Sequence, residues 1–219
     1  MFDTRVRAVI DPVLDRIGHA LASMGISANG VTWIGFVLGA FAAISIALGH
    51  FGWGLVLLLA SRICDGLDGS VARAGIGRGK TSDLGGFLDI VLDFAFYGMI
   101  PFAFIVADPA ANALAGGLLL LVFYANGASF LTYALMVEKR GLGDHDRGSK
   151  SLVYTTGLAE GTETIVVFVA FCLFPDWFST IAYVFAAVVV VTTITRIILA
   201  YQVFGGDGGD GGCEGEKGR

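Results

Sequence analysis

The chain has 219 residues, 55% of them hydrophobic and only 15% charged, with a mean hydropathy of +0.76. A water-soluble domain carries roughly a quarter charged residues, so the composition excludes an ordinary soluble globule and points to one integral membrane domain. The formal charge of -5 says little about partners, because four acids lie inside apolar stretches and four more in the last 15 residues.

The first 25 residues lack a continuous apolar core, so no cleavable signal peptide is expected there. Val6, Val9, Ile10, Val13, Leu14, Ile17, Leu21 and Met24 recur at helical spacing, while Asp3, Arg5, Arg7, Asp11, Asp15 and Arg16 fall elsewhere. Residues 1–25 therefore read as an amphipathic juxtamembrane helix on the cytoplasmic leaflet, or packed against another protein. Asp11-Pro12 offers a helix start, with Asp as N-cap and Pro at the first position.

Six apolar segments follow, near 30–49, 52–72, 84–106, 111–137, 155–174 and 178–203. Each approaches the roughly 20 residues a bilayer crossing needs. Arg5, Arg7 and Arg16 precede the first; Arg73, Arg78 and Lys80 surround the second connection. Lys139, Arg140, Arg147 and Lys150 fill the fourth connection, and Lys217 and Arg219 end the chain. The other three connections, near His50, Asp108 and Asp176, hold no Lys or Arg. Six spans with both termini cytoplasmic satisfy the positive-inside rule throughout. Residues 1–204 then form one all-α membrane domain, and the Gly-rich acidic tail 205–219 is expected to be disordered. Cys64, Cys172 and Cys213 show no metal-ligand spacing and imply no disulfide framework, and Cys64 beside the aspartates reads as a small packing residue.

Asp65, Asp68, Asp89 and Asp93 stand inside the second and third apolar segments. A carboxylate in a bilayer is costly unless it is paired or binds a cation. The spacings of three and four place each pair on one face of its own helix. Counting along the helices, Asp65 and Asp93 lie about 12–13 Å from the cytoplasmic ends, and Asp68 and Asp89 about 8 Å. Four carboxylates at matched depths suit hard divalent cations, Mg²⁺ or Mn²⁺. Pairing with Arg62 and Arg73 would neutralise two of them but not four. Gly66, Gly69, Gly85 and Gly86 lie among them and allow close helix approach.

Asp65-Gly66-Leu67-Asp68-Gly69-Ser70-Val71-Ala72-Arg73, followed by Gly85-x3-Asp89-x3-Asp93, resembles the CDP-alcohol phosphotransferase (CDP-alcohol phosphatidyltransferase) signature D-x2-D-G-x2-A-R, spacer, G-x3-D-x3-D. All eight fixed residue types are present. Upstream, Gly25 to Thr32 looks like the family's approach to the first span, although Ala28 stands where a Pro is usual. The spacer, Ala74 to Leu84, has eleven residues where eight is usual. The resemblance runs from about residue 5 to 203 and implies six membrane helices in a homodimer of the cell (inner) membrane, with the active site facing the cytoplasm. It also implies transfer of a substituted phosphate from a CDP-alcohol, usually CDP-diacylglycerol, to an acceptor alcohol with release of CMP. By the same resemblance Asp65, Asp68, Asp89 and Asp93 bind two metal ions and Asp93 is the general base. Gly69, Ala72 and Arg73 would meet the cytidine diphosphate, with help from Asn29 and Thr32.

Arg196 lies about 10 Å from the cytoplasmic end of the last span, at the depth of the aspartates. With Arg147 and Lys150 at the mouth, it reads as a grip for an acceptor phosphate, as on glycerol 3-phosphate or inositol phosphate. Glu160, Glu163 and Asn126 are further candidates for pairing with these cations or selecting the acceptor. Ala74 to Thr81 fits a relaxed Walker A string, but no β-strand precedes it, so no nucleotide-triphosphatase is expected. The rival reading is an ion or metal transporter using intramembrane acids. Against it, the acids sit at one leaflet depth with no relay to the far side. A scaffold that lost catalysis is disfavoured by the complete aspartate set. No nucleic-acid partner is expected.

Overall fold

The computed structural model of the chain describes residues 2–74, 83–141 and 161–205, with side chains from Pro12 onward. Arg78, Lys80, Arg147, Lys150, Glu160 and the tail beyond Gly205 lie outside the described residues. Every regular element among the described residues is helical. In order they are α1 (Phe2–Ser23), α2 (Ala28–Ala47), α3 (Phe51–Ala74), α4 (Asp83–Ala107), α5 (Pro109–Lys139), α6 (Gly161–Leu173), a 3₁₀ turn (Pro175–Trp177) and α7 (Phe178–Phe204).

Four of these stretches are long and apolar enough to cross a membrane: α2, α4, α5, and the 3₁₀ turn together with α7. Charge keeps α3 off that list, since Arg62, Asp65, Asp68 and Arg73 fall from its middle onward. The described part of α6 is a shorter apolar helix of 13 residues. The segments expected at 30–49, 52–72, 84–106, 111–137 and 178–203 each match a helix to within two or three residues.

Local chemistry sets the ends. Ser27 caps α2, its Oγ accepting from the Gly30 amide at 3.2 Å. Asp108 caps α5 in the same way, accepting from Ala111, with Pro109 at the first position. Helices α1 and α2 both stop on a glycine of positive φ, Gly25 at 82° and Gly49 at 79°. The next amide reaches back five residues in each case, Ile26 to Leu21 and His50 to Ser45. This is the Schellman closure, which favours glycine because no Cβ is present to clash. The helix start expected at Asp11-Pro12 is corrected: α1 runs through Pro12 from Phe2. Proline supplies no amide hydrogen, so that turn loses one bond and the helix continues.

The main core lies between α2, α3, α4, α5, α6 and α7 and is dominated by phenylalanine. Phe96, Phe104, Phe168, Phe171 and Phe178 are all buried to 1% exposure or less. Phe104 stacks on Phe178 with centroids 4.8 Å apart, and Phe96 meets Phe168 at 6.1 Å. A smaller cluster of Val31, Leu67 and Val71 is covered by Leu14, Leu21 and Ala22 of α1. Gly18 sets the crossing of α1 over α3, for a Cβ there would lie 2.7 Å from the Ser70 Cβ. Val13 and Ile17 of the predicted apolar stripe instead face outward, at 55% and 42% exposure.

Candidate active site

Asp65 comes from α3, and Asp89 and Asp93 from α4; one carboxylate oxygen of each lies within 4.8 Å of the others. Asp65 and Asp93 are half-buried and Asp89 is exposed. The donor set is all hard oxygen, which fits Mg²⁺ or Mn²⁺ and not a soft metal. The cleft beside it is walled by Thr32, Gly35 and Phe36 of α2 and by Arg62 of α3.

Asp68 stands apart from this group of three. Its Oδ2 accepts from the Thr32 hydroxyl at 2.7 Å, which ties α3 to α2. Asp65 and Asp93 share a partner in Arg62. Arg62 Nη1 donates to Asp93 Oδ1 at 2.8 Å and lies 3.6 Å from Asp65 Oδ2. Arg62 also donates to Ser61 Oγ at 3.2 Å and lies 3.8 Å over the centroid of the Phe96 ring.

Two glycines missed in the sequence bring α2 against this site. A Cβ on Gly35 would lie 3.0 Å from the Cys64 Cβ, and one on Gly39 would lie 2.7 Å from Phe96 Cδ2. The signal was present as Gly35-x3-Gly39, the small-residue spacing of close membrane helices. Of the glycines singled out earlier, Gly66 faces Leu14 of α1, Gly69 faces Arg73, and Gly86 faces open space.

The remaining predicted positions divide between two regions. Gly69, Ala72 and Arg73 lie in the last turns of α3, and Asn29 in the first turn of α2. Arg73 Nη2 donates to Asp15 Oδ1 of α1 at 2.8 Å and to Ser70 Oγ at 2.9 Å. The Arg73 hydrogen bond, followed by one with Ser70, holds the Asp15 carboxyl below its usual range. This pair is open to water, at 57% and 43% side-chain exposure, so it contributes little to stability. Between α7 and α5, Arg196 Nη1 donates to Asn126 Oδ1 at 2.9 Å and to Ser129 Oγ at 2.8 Å. That joins α7 to α5 and gives Asn126 the structural partner that the sequence left open. Glu163 has one buried carboxylate oxygen, Oε2, without a hydrogen-bond partner among the described residues.

Comparison with known proteins adds the family. The CDP-alcohol phosphatidyltransferase model matches residues 25–195. The chain belongs to that family. Membership favours the transferase reading over the transporter. Inner membrane protein YnjF of Escherichia coli is 44% identical over 201 residues, covering 92% of this chain and 96% of that protein. Archaetidylinositol phosphate synthase of Methanothermobacter thermautotrophicus is 29% identical over 206 residues, covering 90% and 91%. The crystal structure of Mycobacterium tuberculosis phosphatidylinositol phosphate synthase with CDP-DAG bound shares the fold with a TM-score of 0.62. That match has 18% identity and covers 87% of this chain and 94% of the other.

Proposed function

We propose that the protein is a metal-dependent phosphatidyltransferase of the inner membrane. It moves a phosphatidyl group from CDP-diacylglycerol to an acceptor alcohol that itself carries a phosphate. The observation that carries this reading is the convergence of Asp65, Asp89 and Asp93 from two helices, with oxygens within 4.8 Å, beside a cleft in an apolar bundle. The names of the relatives support the donor, the phosphorylated acceptor and the membrane.

Asp65, Asp68, Asp89 and Asp93 would hold two divalent ions, Mg²⁺ or Mn²⁺. Bound there, the ions would neutralise the donor diphosphate and stabilise the attacking and leaving oxygens. Asp93 takes the proton of the acceptor hydroxyl at a carboxylate oxygen. The hydroxyl oxygen then bonds to the β-phosphorus while the bond from that phosphorus to the CMP oxygen breaks, and CMP leaves. Thr32 orients Asp68 through its 2.7 Å hydrogen bond. Gly69 and Ala72 leave room for the nucleotide at the end of α3, with Asn29 near its path. Arg73 has further N–H donors for the diphosphate beyond the one engaged with Asp15 and Ser70. Arg196 receives the acceptor phosphate, with Arg147 and Lys150 at the mouth.

In this reading α3 and α6 also cross the bilayer, giving six spans. The site then opens to the cytoplasm beside α1, residues 1–204 form the catalytic domain, and two copies make a homodimer. The excess of Lys and Arg on alternate connections supports that orientation. The test is to supply purified protein with CDP-diacylglycerol and a panel of acceptors, and to identify the lipid product by mass spectrometry. Mg²⁺-dependent CMP release with glycerol 3-phosphate or inositol phosphate is expected, and EDTA abolishes it. Full turnover in EDTA refutes the metal dependence, and efficient use of uncharged alcohols alone refutes the acceptor class.

A further inference from the structure

We propose that Arg62 is a resident counter-cation of the carboxylate cluster. It keeps the aspartates assembled when the site is empty and weakens the hold on divalent metal when the site is filled. The inference rests on the metal-dependent reading of the site. Three carboxylates whose oxygens lie within 4.8 Å of one another repel strongly in an apolar bundle. Among the described residues, the ion pairs of Asp65 and Asp93 are both with Arg62, at 3.6 and 2.8 Å.

The guanidinium is not a surface charge that can swing away. Its side chain is only 14% exposed. It lies 3.8 Å over the fully buried Phe96 ring, and Nη2 donates to Ser61, whose hydroxyl in turn donates to the Gly35 carbonyl at 2.7 Å. Its Nε is buried without a hydrogen-bond partner among the described residues. The side chain therefore sits where ring and carboxylates put it, and not where its own donors would all be filled. Sequence placed Arg62 on the helix of Asp65, three residues earlier, but did not place it against Asp93. A fixed positive charge beside the ligands offsets carboxylate repulsion in the apoprotein and opposes a second cation. The site then holds metal less tightly than its carboxylates alone would.

The experiment uses the full-length protein in detergent micelles with Mn²⁺ as the probe. Free Mn²⁺ is counted by electron paramagnetic resonance, and Tm is measured in EDTA and in saturating Mn²⁺. Arg62→Gln is expected to bind Mn²⁺ about ten-fold more tightly than wild type, as expected for removing a unit charge beside a divalent ion. Its Tm is expected to fall in EDTA and to recover in Mn²⁺. Arg62→Lys keeps the charge and is expected to hold the wild-type Mn²⁺ affinity within about three-fold. Equal or weaker Mn²⁺ binding by Arg62→Gln, or the same loss of Tm in both buffers, makes Arg62 a packing residue and overturns the proposal. Failure of Arg62→Gln to fold even in Mn²⁺ overturns it as well, since metal should then hold the carboxylates. A wild-type protein that binds no Mn²⁺ refutes the metal reading itself, which separates the two failures.

Discussion

Replacing Thr32 by Val tests whether the Asp68 carboxylate needs to be held. Valine keeps the branched shape and removes Oγ1. The hydroxyl has one proton and two acceptors in reach, Asp68 Oδ2 at 2.7 Å and the Ala28 carbonyl at 3.1 Å. The shorter, charged acceptor dominates. A hydrogen bond to a charged group contributes about 1.5–3 kcal/mol, and about 1.4 kcal/mol is a factor of ten in rate. If Asp68 works only in the orientation Thr32 gives it, kcat/KM for CMP release falls about 10- to 100-fold. Thr32→Ser keeps the hydroxyl and stays within about three-fold of wild type, a loss under ~1 kcal/mol. The assay is CMP release from CDP-diacylglycerol in micelles at saturating Mg²⁺, with Tm recorded for each variant. Thr32→Val turning over within two-fold of wild type would show that Asp68 needs no support from α2.

Asp93→Asn keeps the size of the side chain but cannot accept the proton. Turnover should be lost while CDP-diacylglycerol binding, measured by scintillation proximity, largely remains; wild-type turnover rejects Asp93 as the base. Gly39→Ala forces a Cβ to 2.7 Å from Phe96 Cδ2, displacing the ring beneath Arg62. Overpacking of this kind costs about 1–3 kcal/mol, so Tm should drop by several degrees, and an unchanged Tm contradicts the close α2 packing. Arg196→Lys loses the planar fork that joins Asn126 and Ser129. It should raise the acceptor KM much more than the CDP-lipid KM, and equal effects on both would assign Arg196 to helix packing alone. Asp15 has its carboxyl held low by Arg73, so its contribution to docking α1 is present above about pH 4 and lost as pH falls through the lowered folded value. Hydrogen exchange of the α1 amides, corrected for intrinsic rate, should show this acid loosening in wild type and a flat, lower protection in Asp15→Asn.

The sequence by itself determined the helices and what each one carries. Apolar runs placed the ends of α2, α3, α4, α5 and α7 to within two or three residues, whereas the Asp11-Pro12 reading misplaced the start of α1, and the Ser27 and Asp108 caps and the glycines at 25 and 49 are local signals that went unread. Spacings of three and four put Asp65 with Asp68 and Asp89 with Asp93 on common helix faces, because helical periodicity is a property of one segment. Only the tertiary structure decided how those faces meet. Rotation of one helix against another is set by what packs between them, here Gly35 and Gly39 of α2 against Ser61, Cys64 and Phe96. That rotation separates Asp68, bound to Thr32, from the converging trio. It also turns Arg73 toward Asp15 of α1 and swings Arg62 across to Asp93 on the next helix. These partners are 36, 58 and 31 residues apart in the chain. No local pattern encodes contacts at such separations; they follow from close packing of the assembled bundle.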